Sequence, residues 1–395
     1  MNRRKFIRIV GGGVVLAANA AALSGCAMFD VPPSAIAAWQ GPPTDLELRR
    51  WILSYALLAP NPHNLQPWIA DLATDREIVL KLDPQRLLPA TDPYGRQILM
   101  GAGAFLELLE MAAVERGYRT EVLMFPDGEP GVKLDGRAFA KVRLTPDASA
   151  PRDTLFAQVL NRRTDRRAYD ATRLIPPQQV ERLRAAIGKL PVRFGFAGTA
   201  GSEAADVQRL AAIREIAREA WRIEMTTEAT MMESMRVLRV GGTEINQHRD
   251  GIAITSKFLV LMAKFGMFDR SKFPAPDSQG TLAQIKDFNT ITASTPAYLW
   301  LVTEGNSRAQ QIDAGRAYVR VNLAGTAAGL AMHPNEQSLQ EYSEVAKPYL
   351  AIHQLLDAPP ARHTVQMLAR VGYLPTGDLA APPAPRRGLS AHLVA

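Results

Sequence analysis

Residues 59–68 read Ala59-Pro60-Asn61-Pro62-His63-Asn64-Leu65-Gln66-Pro67-Trp68. Pro60, Pro62 and Pro67 fix their own φ and remove backbone donors, so this is a kinked, rigid loop. A helix precedes it. Leu46, Leu48, Ile52, Leu53, Ala56 and Leu57 recur at helical spacing over residues 45–58, and the prolines end that run. Asn64 and Gln66 then present two side-chain amides, each able to donate twice and to accept. Such a loop suits a planar, heteroatom-rich ring. A plain helix-to-strand turn with Trp68 in the core fits the same residues, and His63 reads as a turn residue satisfied by backbone.

A second stretch has the complementary chemistry. Asn161-Arg162-Arg163-Thr164-Asp165-Arg166-Arg167-Ala168-Tyr169 puts four arginines and a hydroxyl into six residues. Forked cationic donors beside a neutral donor match a phosphate. A solvated basic turn is the alternative. Nucleic acid fits poorly, because the segment is short and has no interleaved aromatics.

The usual catalytic signatures are missing. There is no HExxH, CxxC, complete P-loop or GxSxG, and Gly101-Ala102-Gly103 lacks the third glycine of a dinucleotide fingerprint. The six histidines show no metal-ligand spacing, and the single cysteine excludes an internal disulfide framework or a multi-cysteine metal site. No metal ligand and no catalytic acid or base is assigned.

The two stretches together resemble motifs of the nitroreductase family of flavoproteins. The loop is similar to that family's APSxxNxQPW signature, and the arginine segment, followed by Leu174-Ile175-Pro176, is similar to its RRSxR motif. Here the arginine motif follows the loop motif, which is the order of Acg-type proteins, in which a nitroreductase-like dimer has become one chain. The resemblance implies FMN as cofactor, with Arg162, Thr164 and Arg166 on its phosphate and Asn64 and Gln66 near the flavin ring or ribityl chain. Gly329-Leu330-Ala331-Met332-His333-Pro334-Asn335-Glu336-Gln337 resembles the GLxxxPIxG turn without its final glycine. That match puts Asn335, Glu336 and Gln337 at the redox edge. The tail Pro385-Arg386-Arg387 resembles a C-terminal phosphate contact through Arg386. The implied activity is an exported FMN-dependent oxidoreductase passing electrons to a small quinone- or nitro-like acceptor. The alternative is a silent FMN-binding or storage protein with a lidded site.

Periodicity predicts strands over 77–82, 120–125, 138–144, 192–196 and 297–302, and helices over 96–116, 178–187 and 310–332. Gly95-Arg96 and Gly315-Arg316 each open a helix rich in small residues, which suggests a repeat at an offset of 220 residues. The expected fold is therefore α+β and nitroreductase-like, with two tandem units, 45–150 and 151–395, forming an intramolecular pseudo-dimer in a monomeric chain. A helical, Met-rich insertion spans about 205–290. It would lid the flavin site or simply pack as core.

Residues 1–25 carry Arg3, Arg4, Lys5 and Arg8, no acid, and an apolar run from Ile9 to Leu23, the pattern of an export signal. Residues 2–8 resemble a twin-arginine motif, and Leu23-Ser24-Gly25-Cys26 resembles a lipobox, which implies lipidation of Cys26 and a periplasmic or cell-envelope protein held at the membrane. Residues 26–44 contain Pro32-Pro33 and Pro42-Pro43 and read as an extended tether. The pI near 9.6 is then no sign of nucleic acid: four of the seven net positive charges belong to the address segment.

Overall fold

Glu77–Leu82 places Ile78, Leu80 and Leu82 on one buried face and forms β2. It pairs antiparallel with β1 (Trp68–Asp71) and with β4 (Ala138–Pro146), and β4 pairs with β3 (Tyr118–Met124). The order of this first sheet is β1-β2-β4-β3. The computed structural model describes residues 28–394, so the export signal and Cys26 lie outside the described residues.

The second sheet repeats the pattern. β5 (Arg193–Ala197), β8 (Ala297–Glu304), β10 (His363–Gly372) and β9 (Ala331–Pro334) stand in the order β5-β8-β10-β9, all antiparallel. Reading β1, β2, β3, β4 as β5, β8, β9, β10, the two orders are the same. Each unit also sends one long helix from its second strand to its third: α2 (Arg96–Glu115) and α9 (Arg308–Ala327). The remaining helices of this core are α1 (Leu48–Ala56) and α3 (Pro177–Ala185).

The two long helices cross each other at glycines. A Cβ on Gly103 would lie 2.0 Å from the Ile312 carbonyl oxygen, and a Cβ on Gly315 would lie 1.9 Å from that of Met100. Gly103 corresponds to Gly315, and Met100 to Ile312, at one constant offset of 212 residues. Arg96 and Arg308 correspond at the same offset, and each reaches into the opposite unit. Arg96 donates to the carbonyls of Gln366 (2.7 Å) and Leu339 (2.7 Å), and Arg308 to those of Tyr94 (2.7 Å) and Gly131 (2.6 Å). The pseudo-twofold axis passes through this crossing. The offset of 220 is thereby corrected: Gly315-Arg316 lies inside α9, whose start is a capping box made by Ser307 and Gln310. Residues 331 and 332, the end of the helix expected over 310–332, open β9 instead, because Gly329 (φ 69°) turns the chain after α9.

α2 is long and apolar enough to cross a bilayer, yet it is a core helix, with almost every residue buried between the two units. The expected tether also proves to be packed. Residues 33–35 and 37–40 form two tight turns, Ala35 and Trp39 are buried, and the Trp39 indole N–H donates to the Ala384 carbonyl at 2.8 Å. The extended tether expected from proline density is thus replaced by two short 3-10 helices, and proline density said nothing of burial.

The insertion holds α4 (Ala204–Thr226), α5 (Glu228–Arg236), β6 (Leu238–Val240), α6 (Gly241–His248), β7 (Ile252–Ile254), α7 (Lys257–Lys264) and α8 (Gln279–Ala293). Met225, Met231 and Met235 form its own small core with Trp221, Phe268 and Phe273. After β9, α10 (Ala346–Leu355) packs against α4 and leads to β10.

Candidate functional site

The loop after α1 is held in a strained shape. His63, Asn64 and Gln66 have φ of 47°, 56° and 52°, a region that costs a side-chain-bearing residue about 1 kcal/mol or more. Surrounding hydrogen bonds over-determine it. The Asn61 side chain accepts from the Gln66 N–H at 2.8 Å, and the Asn64 carbonyl accepts from the Gly251 N–H at 3.2 Å. Gln66 is fully buried. Its amide donates to the Arg249 carbonyl (2.9 Å) and accepts from the Arg387 N–H (2.9 Å). The Asn64 amide donates to the Pro385 carbonyl at 2.9 Å and accepts from Arg386. These amides therefore brace the loop against the C-terminal tail and the insertion. Both donors of the Gln66 amide are spent on protein carbonyls, so its expected contact with a flavin is replaced by this bracing role, whereas Asn64 donates only one of its two amide N–H groups and keeps the other.

Arg386 shares the same fate. Its Nε donates to the Leu57 carbonyl and its Nη2 to those of Leu58 and Ala59, so it closes the carbonyl end of α1. Arg162 joins it there, with Nη2 donating to the Leu58 carbonyl at 3.0 Å. The guanidinium carbons of Arg162, Arg163 and Arg386 lie 5.4, 4.8 and 5.1 Å from the centroid of the Trp39 ring. Burial drives the Arg162 pKa down to about 10 and pushes that of Arg386 well below its usual value. Among the described residues none of the three arginines has a carboxylate partner. Buried cations without an anion are costly, and this cluster is built to accept one.

Beside it lies a set of buried polar atoms without hydrogen-bond partners: Arg162 Nε, the Tyr318 hydroxyl, His63 Nδ1 and one Glu336 carboxylate oxygen (Oε2), which has only an ion-pair neighbour, Arg96 Nη2, at 4.0 Å. Tyr318, on α9, feels the charges of both Arg162 and Glu336, so it stands between the arginine cluster and the turn after β9. Glu336 accepts from the Leu368 N–H through Oε1 at 2.8 Å, and burial raises its pKa to about 7 despite Arg96 nearby. Asn335 accepts from the Tyr298 hydroxyl at 3.0 Å and donates one of its two amide N–H groups to Gln337 Oε1 at 2.8 Å. The N–H groups of Glu336 and Gln337 have no backbone partner among the described residues.

Arg166 belongs to the histidine side of the site. Burial, with the Arg166 charge behind it, brings the pKa of His63 down to about 4, and burial, Arg370 and Arg166 together hold that of His333 well below its usual value. Thr164 is half-buried, and its hydroxyl has no hydrogen-bond partner among the described residues. His63 is not the backbone-satisfied turn residue expected, since its Nδ1 is left unpaired.

Three contributors escaped the sequence. Arg163 sat in the quoted run and differed from Arg162 in nothing legible. Trp39 lay in the supposed tether. Tyr318 carries no signal beyond its place on a helix. Around them the insertion closes in from both sides. Asp250 pairs with Arg86 (2.6 Å) and Arg239 (2.9 Å) beside the 59–68 loop, and Glu224 of α4 accepts from Gln340 at 3.0 Å beside the 335–340 turn.

The arrangement can hold an anion at one end and offer backbone donors and a neutral-range carboxyl at the other. The chain is similar to several known proteins. Rv3131 of Mycobacterium tuberculosis H37Rv, by name a candidate NAD(P)H nitroreductase, is 29% identical over 352 residues, covering 88% of this chain and 91% of that protein. The acg protein of the same strain, named likewise, is 35% identical over 111 residues, 28% of this chain and 32% of its own. A crystal structure of a candidate nitroreductase from Anabaena variabilis aligns with 86% of this chain and 91% of its own at 10% identity and TM-score 0.45. The FMN-dependent nitroreductase NfnB of Mycobacterium smegmatis, solved with NADPH, aligns with 58% and 92% at 17% identity and TM-score 0.35. The model of the nitroreductase family matches residues 159–373, from the arginine segment to the end of β10 and more than half of the sequence, and the chain belongs to that family.

Proposed function

We propose that the chain is an FMN-dependent oxidoreductase with one flavin held in the seam between its two units. The observation that carries this reading is the carboxylate-free cluster of Arg162, Arg163 and Arg386 over Trp39, adjoining Arg162 Nε, the Tyr318 hydroxyl and Glu336 Oε2, which lack hydrogen-bond partners. The residues present fit the group. Arg162 and Arg163 have donors free for a phosphate, and Thr164 adds a neutral one. Arg386 contributes charge while its donors hold α1. Bound FMN would supply two-electron chemistry that no side chain here offers. The Glu336 and Gln337 N–H groups provide donors at the opposite end, where a reduced ring carries negative charge. The Glu336 carboxyl, with a pKa raised to about 7, holds a proton at Oε2 near neutrality and can release it. Electrons would pass to a small quinone- or nitro-like acceptor.

A second reading has its own support. The insertion touches both loops of the site, through Arg249, Asp250 and Gly251 on one side and Glu224 on the other. A closed insertion would exclude substrates and leave an FMN store. Anaerobic addition of NADH, NADPH or a quinol to the FMN-loaded protein decides between them. Bleaching near 450 nm (roughly the oxidised flavin band), reversed by a quinone or a nitroaromatic, supports the enzyme. A flavin that no donor bleaches overturns that reading in favour of storage, and a protein that cannot be loaded with FMN overturns both.

A further inference from the structure

One surface of the insertion is unlike the rest of the molecule. Phe258, Leu261, Phe265 and Met267, in and just after α7, are 66%, 41%, 68% and 59% exposed. At about 100° per residue, positions 258, 261 and 265 share one stripe of the helix. The opposite face packs inward through Val260, which is buried, and Leu259 and Ala263, which are half-buried. Exposed Lys257 and Lys264 flank the apolar stripe on one border, and neither has a carboxylate partner among the described residues. Contiguous exposed aromatic and aliphatic side chains of this kind mark an interaction surface.

The chain entry identifies the occupant. The Met28 carbonyl accepts from the Gly242 N–H of α6 at 2.9 Å, and the Phe29 ring lies 6.0 Å from the Lys257 ammonium. Ser34 holds Asn246 of α6 at 2.7 Å. The first described residues are therefore strapped beside α7. In the sequence they follow the basic and apolar stretch 3–23 and Cys26 directly. The described chain thus begins beside α7. Lysines bordering an apolar stripe match anionic headgroups over acyl chains, and a single weak anchor gains firmness from a second.

We propose that α7 and the segment to Met267 form a membrane-docking surface for an anionic bilayer, inserting Phe258, Leu261, Phe265 and Met267 at the headgroup boundary with Lys257 and Lys264 on the lipid phosphates. This surface is independent of the flavin reading, since none of its residues lines that site.

The test uses the full chain carrying Phe265→Trp, with Phe258→Trp as a second probe, and vesicles of phosphatidylglycerol and phosphatidylcholine with brominated acyl chains. Bromine quenches only tryptophan that enters the acyl region, so residue 265 is read against the five native tryptophans of the unsubstituted chain. The expected result is quenching in both probes, with apparent vesicle affinity falling roughly tenfold on Lys257→Glu/Lys264→Glu. A chain that sediments with the vesicles while both probes stay unquenched overturns the proposal. So does lipid-independent dimerisation, seen by light scattering, that Phe258→Ser/Phe265→Ser abolishes, because a second copy would then be the occupant.

Discussion

Replacing Arg162 by Ala is expected to weaken FMN binding by roughly ten- to a hundredfold, the worth of one or two charge-assisted hydrogen bonds to a phosphate. The same substitution should leave the flavin-free protein nearly as stable as before, or slightly more so. Arg162 is buried, desolvated until its pKa falls to about 10, and paired with carbonyl oxygen rather than with a carboxylate. Its charge costs free energy that only an anion returns. A purely structural arginine would behave in the opposite way, and its loss would lower the unfolding midpoint without FMN. Arg162→Lys should recover part of the affinity, keeping charge but losing the fork. Fluorescence titration of FMN and denaturant midpoints of the apo proteins together check the prediction. Unchanged affinity with a lowered apo midpoint would contradict it.

Gly103→Ala is expected to destabilise the protein by about 3 kcal/mol or more, since the added carbon would meet backbone that cannot swing aside. The Ile312 carbonyl oxygen lies 2.0 Å from that carbon and its carbonyl carbon 2.8 Å. α2 and α9 would have to part, and the cross-unit bonds of Arg96 and Arg308 would lengthen with them. Gly131→Ala is the matched control, with no atom within 4 Å of its added carbon, and should fall within about 0.5 kcal/mol of the parent. Urea midpoints of the two variants measure the difference. Equal midpoints would mean that the units do not meet at this crossing.

These expectations show where the sequence was legible. β2 was read to the residue and α2 to within one, because strict alternation and a long apolar helix leave no second solution. The pairing of two units was visible in the small residues of two helices, yet the offset was misread by matching Gly-Arg letters rather than helix starts. Ser307 and Gln310 already carried the capping signature that marks the true start. The site was legible as two motifs but not in its division of labour. Gln66 and Arg386 are rich in donors that all go to protein oxygens, and donor count alone cannot tell a ligand contact from a brace. Only the hydrogen-bond partners decide it. Trp39 was hidden for a related reason: proline density reports backbone shape, whereas burial depends on what the C-terminal tail brings across from residue 384.

The pseudo-symmetry does not extend to the site. The counterpart of the 59–68 loop, between α3 and β5, reads Ile187-Gly188-Lys189-Leu190-Pro191-Val192 and has no side-chain amide. The counterpart of the arginine run, at the same distance before α1, reads Pro33-Ser34-Ala35-Ile36-Ala37-Ala38-Trp39-Gln40 and has no cation. On the proposed reading one seam holds FMN and its mirror image does not. Native mass spectrometry of the chain loaded with excess FMN and desalted tests this most directly. The account predicts a single species at the mass of one chain plus one FMN, with the flavin-bound fraction diminished by Arg162→Ala. Two flavins per chain, or one flavin retained undiminished by the Arg162 variant, would contradict it.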